Sequence, residues 1–374
     1  MKKIGREVLF LSTGEGNPRN GEGSFIRLKD GSILFGYTEY IGTSWNDHAD
    51  ARISAVISHD EGETWGEKHV ILEKPVNSKN VMSLSFLRMG NGDIGAFYIF
   101  KNQDGTDNNY LIRSSDEGKT WSDPVNCMGQ HKDSDYYVLN NDRVLRLQSG
   151  RILYAVARHG LCKETSDLAA GALNFFYSDD DGCTWHKTPQ ELHMPFPSDR
   201  IGYQEPGLYQ YEDGKLWCYI RTGLGCQFQC FSEDDGLTWS LPGPNYFFTS
   251  PTSPMLVKDV GSYTVAIFNP EPNYNGRPAN EPWGRTPYVC AVSDDKGKTF
   301  TKDRMFYIED DRSNGYCYPA IIDGKDYFLL AYYHSNNTGI CLNSCKITKI
   351  FHSELAFNRN DRTAVRWQKG SDAS

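Results

Sequence analysis

Short apolar runs, each opened by a glycine, recur along the chain at intervals of about 60 residues. Six of them begin at Gly31 ("GSILFGYTEY"), Gly92 ("GDIGAFYIF"), Gly150 ("GRILYAVARH"), Gly214 ("GKLWCYIRT"), Gly261 ("GSYTVAIFNP") and Gly324 ("GKDYFLLAYY"). A second β-like run precedes each, as in "SFIRLKD", "SLSFLRM" and "DRVLRLQ". Because a glycine between two such runs is typical of a tight turn, each repeat is predicted to open with an antiparallel pair of strands.

An acidic octet follows five of the six apolar runs. Its copies are "SHDEGETW" from Ser58, "SSDEGKTW" from Ser114, "SDDDGCTW" from Ser178, "SEDDGLTW" from Ser232 and "SDDKGKTF" from Ser293. The glycine permits the positive φ of a tight turn. The Asp, Ser and Thr side chains can form hydrogen bonds with the turn backbone, and the final aromatic ring can pack on the sheet. A calcium loop would need more oxygen ligands, so we interpret the octets as structural turns.

The two repeats together define the predicted architecture. Each unit contains a strand, a glycine turn, a strand, a loop, a strand, the octet turn and a strand. This order is typical of a four-stranded antiparallel blade, and six units predict an all-β, six-bladed β-propeller. We expect a single domain over residues 1–374, with the N-terminal "REVLFLS" pairing in the sixth unit, which lacks an octet, to close the ring.

Composition narrows the classes of partner. The net charge is −9, which disfavours nucleic acid as a partner, although a few arginines can still form a local anion site. No apolar run approaches the ~18 residues of a membrane span, and the early run "VLFL" is shorter than a signal-peptide core. The ten cysteines are scattered singly, which favours free thiols. We therefore expect a cytoplasmic protein that needs no metal or cofactor.

Strand order predicts which face carries a site. In an antiparallel blade the starts of odd strands and the ends of even strands share one face, and the octets lie on the other. Polar residues at the predicted site face are Arg19, Glu22, Asp47, His48, Asp50, Asp142, Arg143, Arg158, His159, Glu205, Arg221, Arg285, Tyr316 and Tyr318. Acids, arginines and tyrosines gathered on one rim favour a small acidic saccharide as the partner.

The octets resemble Asp-boxes, the hairpin signature of the six-bladed propeller of the sialidase (neuraminidase) superfamily, and the resemblance covers nearly the whole chain. It implies three arginines around the C1 carboxylate of the substrate, a tyrosine nucleophile polarised by a glutamate, and an aspartate as acid and base. Asp-boxes also occur in propellers with other functions, so they indicate the fold more strongly than the activity.

The resemblance transfers to individual positions. It implies Asp47 as acid and base, Glu205 as the partner of the nucleophile Tyr318, and Arg221 and Arg285 as two of the clamp arginines. The family's Phe/Tyr-Arg-Ile-Pro motif is missing, and "NPRNGEGSFIRL" stands in its place, where Arg19 is the best replacement for the first arginine. Two further arginines, Arg143 and Arg158, are expected as pocket neighbours that bind substrate.

The expected function is that of a retaining exo-glycosidase that releases a terminal sialic acid or a similar acid sugar. Two alternatives remain open from the residues. One is a glycosidase for another acidic sugar, such as a uronate, which the unusual "NPRNGEG" segment favours. The other is a carbohydrate-binding propeller without catalysis.

Overall fold

The structure is a computed structural model that describes residues 1–129, 135–160, 170–195, 201–272 and 284–356. Its strands form six antiparallel sheets. Each sheet contacts the next, in most cases through their first strands, so the sheets surround a common axis as the blades of a propeller. The predicted all-β six-bladed propeller is therefore confirmed. Within the described ranges, no helix is long and apolar enough to cross a membrane.

The chain begins with an N-terminal strand and then passes through the first three blades. This strand is β1 (Arg6–Leu11). Blade one comprises β2 (Asn20–Arg27), β3 (Ile33–Tyr40), β4 (Ala51–Ser58) and β5 (His69–Leu72). Blade two comprises β6 (Ser78–Arg88), β7 (Ile94–Asn102), β8 (Asp107–Ser114) and β9 (Val125–Asn126). Blade three comprises β10 (Tyr136–Val138), β11 (Leu145–Arg146), β12 (Ile152–His159), β13 (Ala172–Ser178) and β14 (His186–Lys187).

The remaining three blades complete the ring. Blade four comprises β15 (Gln204–Gln210), β16 (Leu216–Arg221), β17 (Cys226–Ser232) and β18 (Gly243–Thr249). Blade five comprises β19 (Leu256–Val260), β20 (Tyr263–Phe268), β21 (Tyr288–Ser293) and β22 (Met305–Glu309), with a short 3-10 helix at Lys302–Arg304. Blade six comprises β23 (Tyr316–Asp323), β24 (Tyr327–His334) and β25 (Ser344–Phe351), followed by a 3-10 helix at His352–Leu355.

The N-terminal strand supplies the fourth strand of blade six, as predicted. β1 pairs with β25, with Arg6 opposite Lys349 and Leu11 opposite Cys345. The first and last parts of the propeller are therefore held together by backbone hydrogen bonds rather than by side chains alone.

Apolar side chains fill the spaces between adjacent blades. Between blades one and two, for example, Ile26 and Leu34 pack with Leu84 and Tyr98. Both faces of a middle strand are covered by a neighbouring blade, which explains why its sequence is almost continuously apolar. The nine cysteines that the structure describes are free thiols.

The octets form tight turns in which their own side chains bond the backbone. In the first copy the Asp60 carboxylate accepts the Thr64 backbone N–H at 2.8 Å, the Thr64 hydroxyl at 2.5 Å and the Ser58 hydroxyl at 2.9 Å. The same contacts recur at Asp116, Asp180, Asp234 and Asp295. Because the turns use these carboxylates, the contacts support the structural interpretation of the octets.

Blade three differs from the predicted pattern at its first strand. The run "DRVLRLQ" predicts one strand over residues 142–148, but only Leu145 and Arg146 of it pair with β12, and the pairing is interrupted between β10 and β11. The break contains residues 140–143, hereafter the axial segment, whose side chains bond to other blades instead of continuing the strand. These bonds take the place of the missing strand pairing.

Side chains of the axial segment form hydrogen bonds with blade one and blade six. The Asn141 side-chain amide donates to the Gly23 carbonyl at 2.9 Å and to the Pro319 carbonyl at 3.2 Å. The Asp142 carboxylate accepts the Ser24 hydroxyl at 2.9 Å and the Ile321 backbone N–H at 2.9 Å. All these groups are buried, so each bond satisfies a donor or acceptor that water does not reach.

Blades two, four and five are tied to the same segment. The Asp142 backbone N–H donates to the Leu84 carbonyl at 3.0 Å, and the Asp142 carboxylate accepts Lys258 Nζ at 2.6 Å. The Arg143 guanidinium donates to the Glu205 carbonyl at 2.7 Å and to the Met255 carbonyl at 2.6 Å. One short segment of blade three therefore contacts all five other blades, which places it on the propeller axis.

We predict that Asp142→Ala lowers the free energy of unfolding by about 2–4 kcal/mol, because it leaves three donors from three blades without their acceptor. Urea unfolding followed by tryptophan fluorescence measures the loss. The control is Asp123→Ala, which removes an exposed carboxylate at the blade periphery and should leave the unfolding curve unchanged. Equal curves for both variants would contradict a stabilising role of the axial segment.

Candidate active site

Five blades share one backbone distortion near the axis. Non-glycine residues there have positive φ, at Glu22 (49°), Ser83 (61°), Asp142 (58°), Glu205 (40°) and Tyr318 (56°). In blades one, two, four and six the residue lies at a bulge where the pairing register with the second strand shifts. Such a conformation costs about 1–3 kcal/mol for a non-glycine residue and persists only where the surroundings enforce it. Four of these five side chains, all but Asp142, line one cavity.

That cavity opens on the face predicted by strand order and has a volume of about 300 Å³. Its lining comprises Glu22, Trp45, Asn46, Asp47, Met82, Ser83, Ile99, Tyr136, Val138, Asn140, His159, Gln204, Glu205, Arg221, Arg285, Tyr318 and Leu342. The lining combines carboxylates, guanidiniums and phenols with a patch of apolar side chains. This mixture suits a small, polar and charged ligand that also has an apolar face.

Tyr318, Glu205 and Arg221 form the most tightly connected group in the cavity. The Tyr318 hydroxyl donates to Glu205 Oε1 at 2.6 Å, and Arg221 Nη1 donates to Glu205 Oε2 at 2.5 Å. Burial raises the pKa of Glu205, but the charge of Arg221 and the Tyr318 hydrogen bond outweigh it and lower the pKa overall. Glu205 is therefore an ionised acceptor aimed at the phenol proton.

The Tyr318 side chain is partly buried, and its pKa is raised well above its usual value by burial and by the charge of Glu205. Arg285 lies beside it, with its guanidinium carbon 5.6 Å from the centre of the Tyr318 ring. Arg285 also donates to Cys317 Sγ at 3.1 Å and to the Thr252 carbonyl at 3.2 Å. Two positive charges thus flank the phenol and would stabilise a developing phenolate.

Arg19 occupies a different setting from Arg221 and Arg285. It is 1% exposed and lies behind Glu22, to which its Nη2 donates a hydrogen bond. Its Nη1 donates to Asp47 Oδ1 at 2.5 Å, and its Nε donates to the Tyr333 hydroxyl at 2.7 Å. The structure therefore brings Arg19 to the site, but as the counter-ion of two acids that line the cavity.

The two acids bound to Arg19 have pKa values shifted in opposite directions. Burial raises the pKa of Glu22 to about 7, against the lowering effect of the Arg19 charge. For Asp47 burial acts in the same direction, but the charges of Arg19 and Lys101 outweigh it and lower the pKa to about 2. The Asp47 side chain is half exposed, whereas that of Glu22 is only 4% exposed. One carboxyl thus titrates near neutral pH while its neighbour stays ionised.

Two arginines expected as pocket neighbours point elsewhere. Arg143 binds the backbone of blades four and five and lines a separate cavity behind the site. Arg158 is turned to the Asp135 and Glu191 carboxylates, because neighbouring side chains on a strand face opposite sides and its neighbour His159 takes the cavity side. Sequence reasoning also missed Tyr333, which is the penultimate residue of the second strand of blade six and binds Arg19.

The family model of the BNR repeat-like domain matches residues 36–333, so the chain belongs to this family, within the sialidase superfamily of propellers. A sialidase of Bacteroides fragilis (strain YCH46) is 22% identical over 342 residues, which are 81% of this chain and 57% of that protein. The chain thus spans little more than half the length of this relative.

Solved structures of similar shape agree on the fold. A protein of unknown function from Dyadobacter fermentans superposes with a TM-score of 0.69 and 19% identity, covering 92% of this chain and 99% of its own. The leech intramolecular trans-sialidase, complexed with 2,7-anhydro-Neu5Ac, gives a TM-score of 0.71 and 14% identity, covering 95% and 71%. At these identities the likeness concerns the propeller itself.

We predict that Arg19→Met destabilises the protein by about 3–5 kcal/mol at pH 8, because buried Glu22 loses its counter-ion. The loss should be smaller at pH 5. Glu22, with a pKa of about 7 in the folded protein, is protonated there in both proteins and needs no counter-ion. Denaturant unfolding at the two pH values measures both losses.

The matched control is Arg27→Met, which breaks a solvent-exposed ion pair with Glu61 and should have a small, pH-independent effect. An equal loss for Arg19→Met at pH 5 and pH 8 would contradict the coupling between Arg19 and the charge on Glu22.

Proposed function

We propose that this protein is a retaining exo-glycosidase that releases a terminal sialic acid or a closely related acid sugar, with Tyr318 as the nucleophile. The observation that carries the proposal is the hydrogen-bonded group of Tyr318, Glu205 and Arg221 in the lining of one cavity. A nucleophile joined to its base, with the base held by a third residue, is the arrangement that covalent catalysis requires.

A tyrosine nucleophile fits a substrate whose anomeric carbon carries a carboxylate. A carboxylate nucleophile would be repelled by that group, whereas a neutral phenol is not. Arg221 and Arg285 flank Tyr318, so they would bind the substrate carboxylate as it approaches the phenol oxygen. This places the anomeric carbon next to the attacking atom.

The first step forms a tyrosyl–sugar bond and breaks the glycosidic bond. As the Tyr318 oxygen attacks the anomeric carbon, Glu205 takes the phenol proton and Asp47 gives a proton to the leaving oxygen. Water then attacks the same carbon from the leaving-group side while Asp47 accepts its proton. The Tyr318 oxygen leaves and regains its proton from Glu205, so the anomeric configuration is retained.

The ionised state of Asp47 in the unliganded protein matches the second step, in which it acts as a base. For the first step it must be protonated, although its pKa here is about 2. A bound sugar would cover this half-exposed carboxylate and bring a second negative charge close to it. Both effects raise the pKa of a carboxyl group, so substrate binding itself would prepare Asp47 to act as an acid.

A glycosidase for a uronate-type sugar is the second candidate, because Arg19 is bound to Glu22 and Asp47 rather than directed into the cavity. An arginine can bind a carboxylate through two parallel hydrogen bonds, so Arg221 and Arg285 are also a fitting pair for the carboxylate of a uronate. A third outcome, binding without turnover, would keep the arginines and dispense with the nucleophile.

We predict that Tyr318→Phe abolishes retaining release of the sugar from an aryl sialoside, because no oxygen is left to form the intermediate. Tyr316→Phe is the matched control: its hydroxyl donates to the Asp311 carbonyl outside the cavity, and the variant should stay active. Assays on an aryl sialoside and an aryl uronide separate the candidates. Turnover of the uronide alone would refute the substrate assignment, and binding of sialic acid without turnover of either would favour the binding function.

We predict that the effect of Asp47→Ala depends on the leaving group. For a sialoside of lactose, whose leaving oxygen needs a proton, kcat/KM should fall by about 10²–10⁴. For an aryl sialoside, whose leaving group needs little protonation, the first step should be much less affected. Asp50→Ala, in the same loop but paired with Lys74, serves as the control. An equal loss on both substrates would contradict the acid role of Asp47.

A further inference from the structure

Glu22 occupies the same structural position as the two reactive residues of the site. Like Glu205 and Tyr318, it sits at a bulge of the first strand of its blade, has positive φ and lines the cavity. The proposed chemistry uses Glu205 and Tyr318 but leaves Glu22 without a role. A buried acid held in a strained conformation at a cavity surface is costly, so it points to a function.

Glu22 lines the same cavity as Tyr318 and Arg285, and two intervening side chains link it to Tyr318. The Tyr318 ring packs edge-on against Tyr333, with 5.7 Å between ring centres, and Tyr333 accepts the Nε–H of Arg19, which in turn holds Glu22. The negative charge of Glu22 also reaches Tyr318, whose pKa it raises. A sugar carboxylate seated beside the Tyr318 oxygen therefore lies in a cavity that is lined both by Arg221 and Arg285 and by Glu22.

We propose that Glu22 is a specificity-determining residue that binds the substrate carboxylate in its protonated form, donating a hydrogen bond from its carboxyl group. This proposal rests on the proposed function, since it requires an acid sugar in the cavity. An ionised Glu22 would repel the substrate carboxylate, whereas the neutral acid donates to it. Binding of the sugar is then coupled to the uptake of one proton.

The surroundings of Glu22 make this proton exchange accessible near neutral pH. The titratable or charged groups that act on it, or on which its charge acts, are Arg19, Tyr40, Asp47, Tyr136, Glu205, Tyr318 and Tyr333. Two further carboxylates, Asp47 and Glu205, have lowered pKa values and stay ionised, and the pKa values of the four tyrosines are raised above their usual range. Of this set, Glu22 is the group that changes charge around pH 7.

The sign of the pH effect follows from the protonation state of the free protein. Below a pH of about 6, Glu22 is already protonated, so binding takes up no proton and the affinity does not depend on this group. Above a pH of about 7, binding must add a proton, and the affinity for an acid sugar falls by about tenfold per pH unit. Replacement by glutamine keeps a hydrogen-bond donor and removes the titration.

The experiment measures the affinity of wild type and Glu22→Gln for the 2,3-didehydro analogue of sialic acid by calorimetry at pH 6, 7 and 8. The two proteins should bind equally at pH 6, and the variant should bind about tenfold more tightly at pH 8. Titrations in two buffers of different ionisation enthalpy should show that wild type at pH 8 takes up nearly one proton more than the variant. His48 and His159 are present in both proteins, so the difference isolates Glu22.

Asp107→Asn is the matched control. Burial raises the pKa of Asp107 to about 7 as well, but its carboxylate lies beside Lys101 and outside the cavity lining, so the variant should keep the wild-type pH dependence. Parallel pH profiles of wild type and Glu22→Gln would overturn this proposal and leave the proposed function standing. Failure of wild type to bind the probe at pH 6 would overturn the proposed function and this proposal together.

Discussion

The hydrogen bonds of the axial segment are the constraint on which both the ring and the site depend. Residues 140–143 abandon strand pairing in blade three and bond instead to the five other blades. A propeller of separate sheets is otherwise joined mainly by apolar packing between blades, which is strong but not directional. The buried polar contacts at the axis supply the direction that fixes how the blades meet.

The same bonds hold the backbone beside the reactive side chains. Asn141 binds the carbonyl of Gly23, which follows Glu22, and the carbonyl of Pro319, which follows Tyr318, while Arg143 binds the carbonyl of Glu205 itself. These are the peptide groups next to three of the residues with positive φ. Hydrogen bonds from one segment at the axis therefore help to hold the strained backbone conformations at Glu22, Glu205 and Tyr318. The same bonds contribute to the stability of the fold and to the geometry of the site.

The repeats made the fold predictable, because a glycine turn and an octet in successive blades define strand order without any tertiary information. Strand order also placed Glu205, Arg221, Arg285 and Tyr318 on one face, and the structure finds them around one cavity. The direction of a side chain was less predictable.

Arg143 and Arg158 lie at suitable positions along the chain, but a broken strand turns the first to the axis and strand alternation turns the second away from the cavity. The pairing of Arg19 with Glu22 depends on a bulge that moves Glu22 into the cavity, and no local sequence signal reports that bulge. The family comparison confirms the superfamily, whereas the substrate remains a proposal.

The most direct test of the central claim is to trap the covalent intermediate on the protein. A 2,3-difluoro sialic acid slows both steps, because fluorine at C3 disfavours positive charge at the anomeric carbon, while fluoride at C2 leaves readily. Peptide mass spectrometry after incubation should find one sugar unit attached to the peptide that contains Tyr318. Attachment to another residue, or release of the sugar from an aryl sialoside without any trapped adduct, would contradict a tyrosine nucleophile in this site.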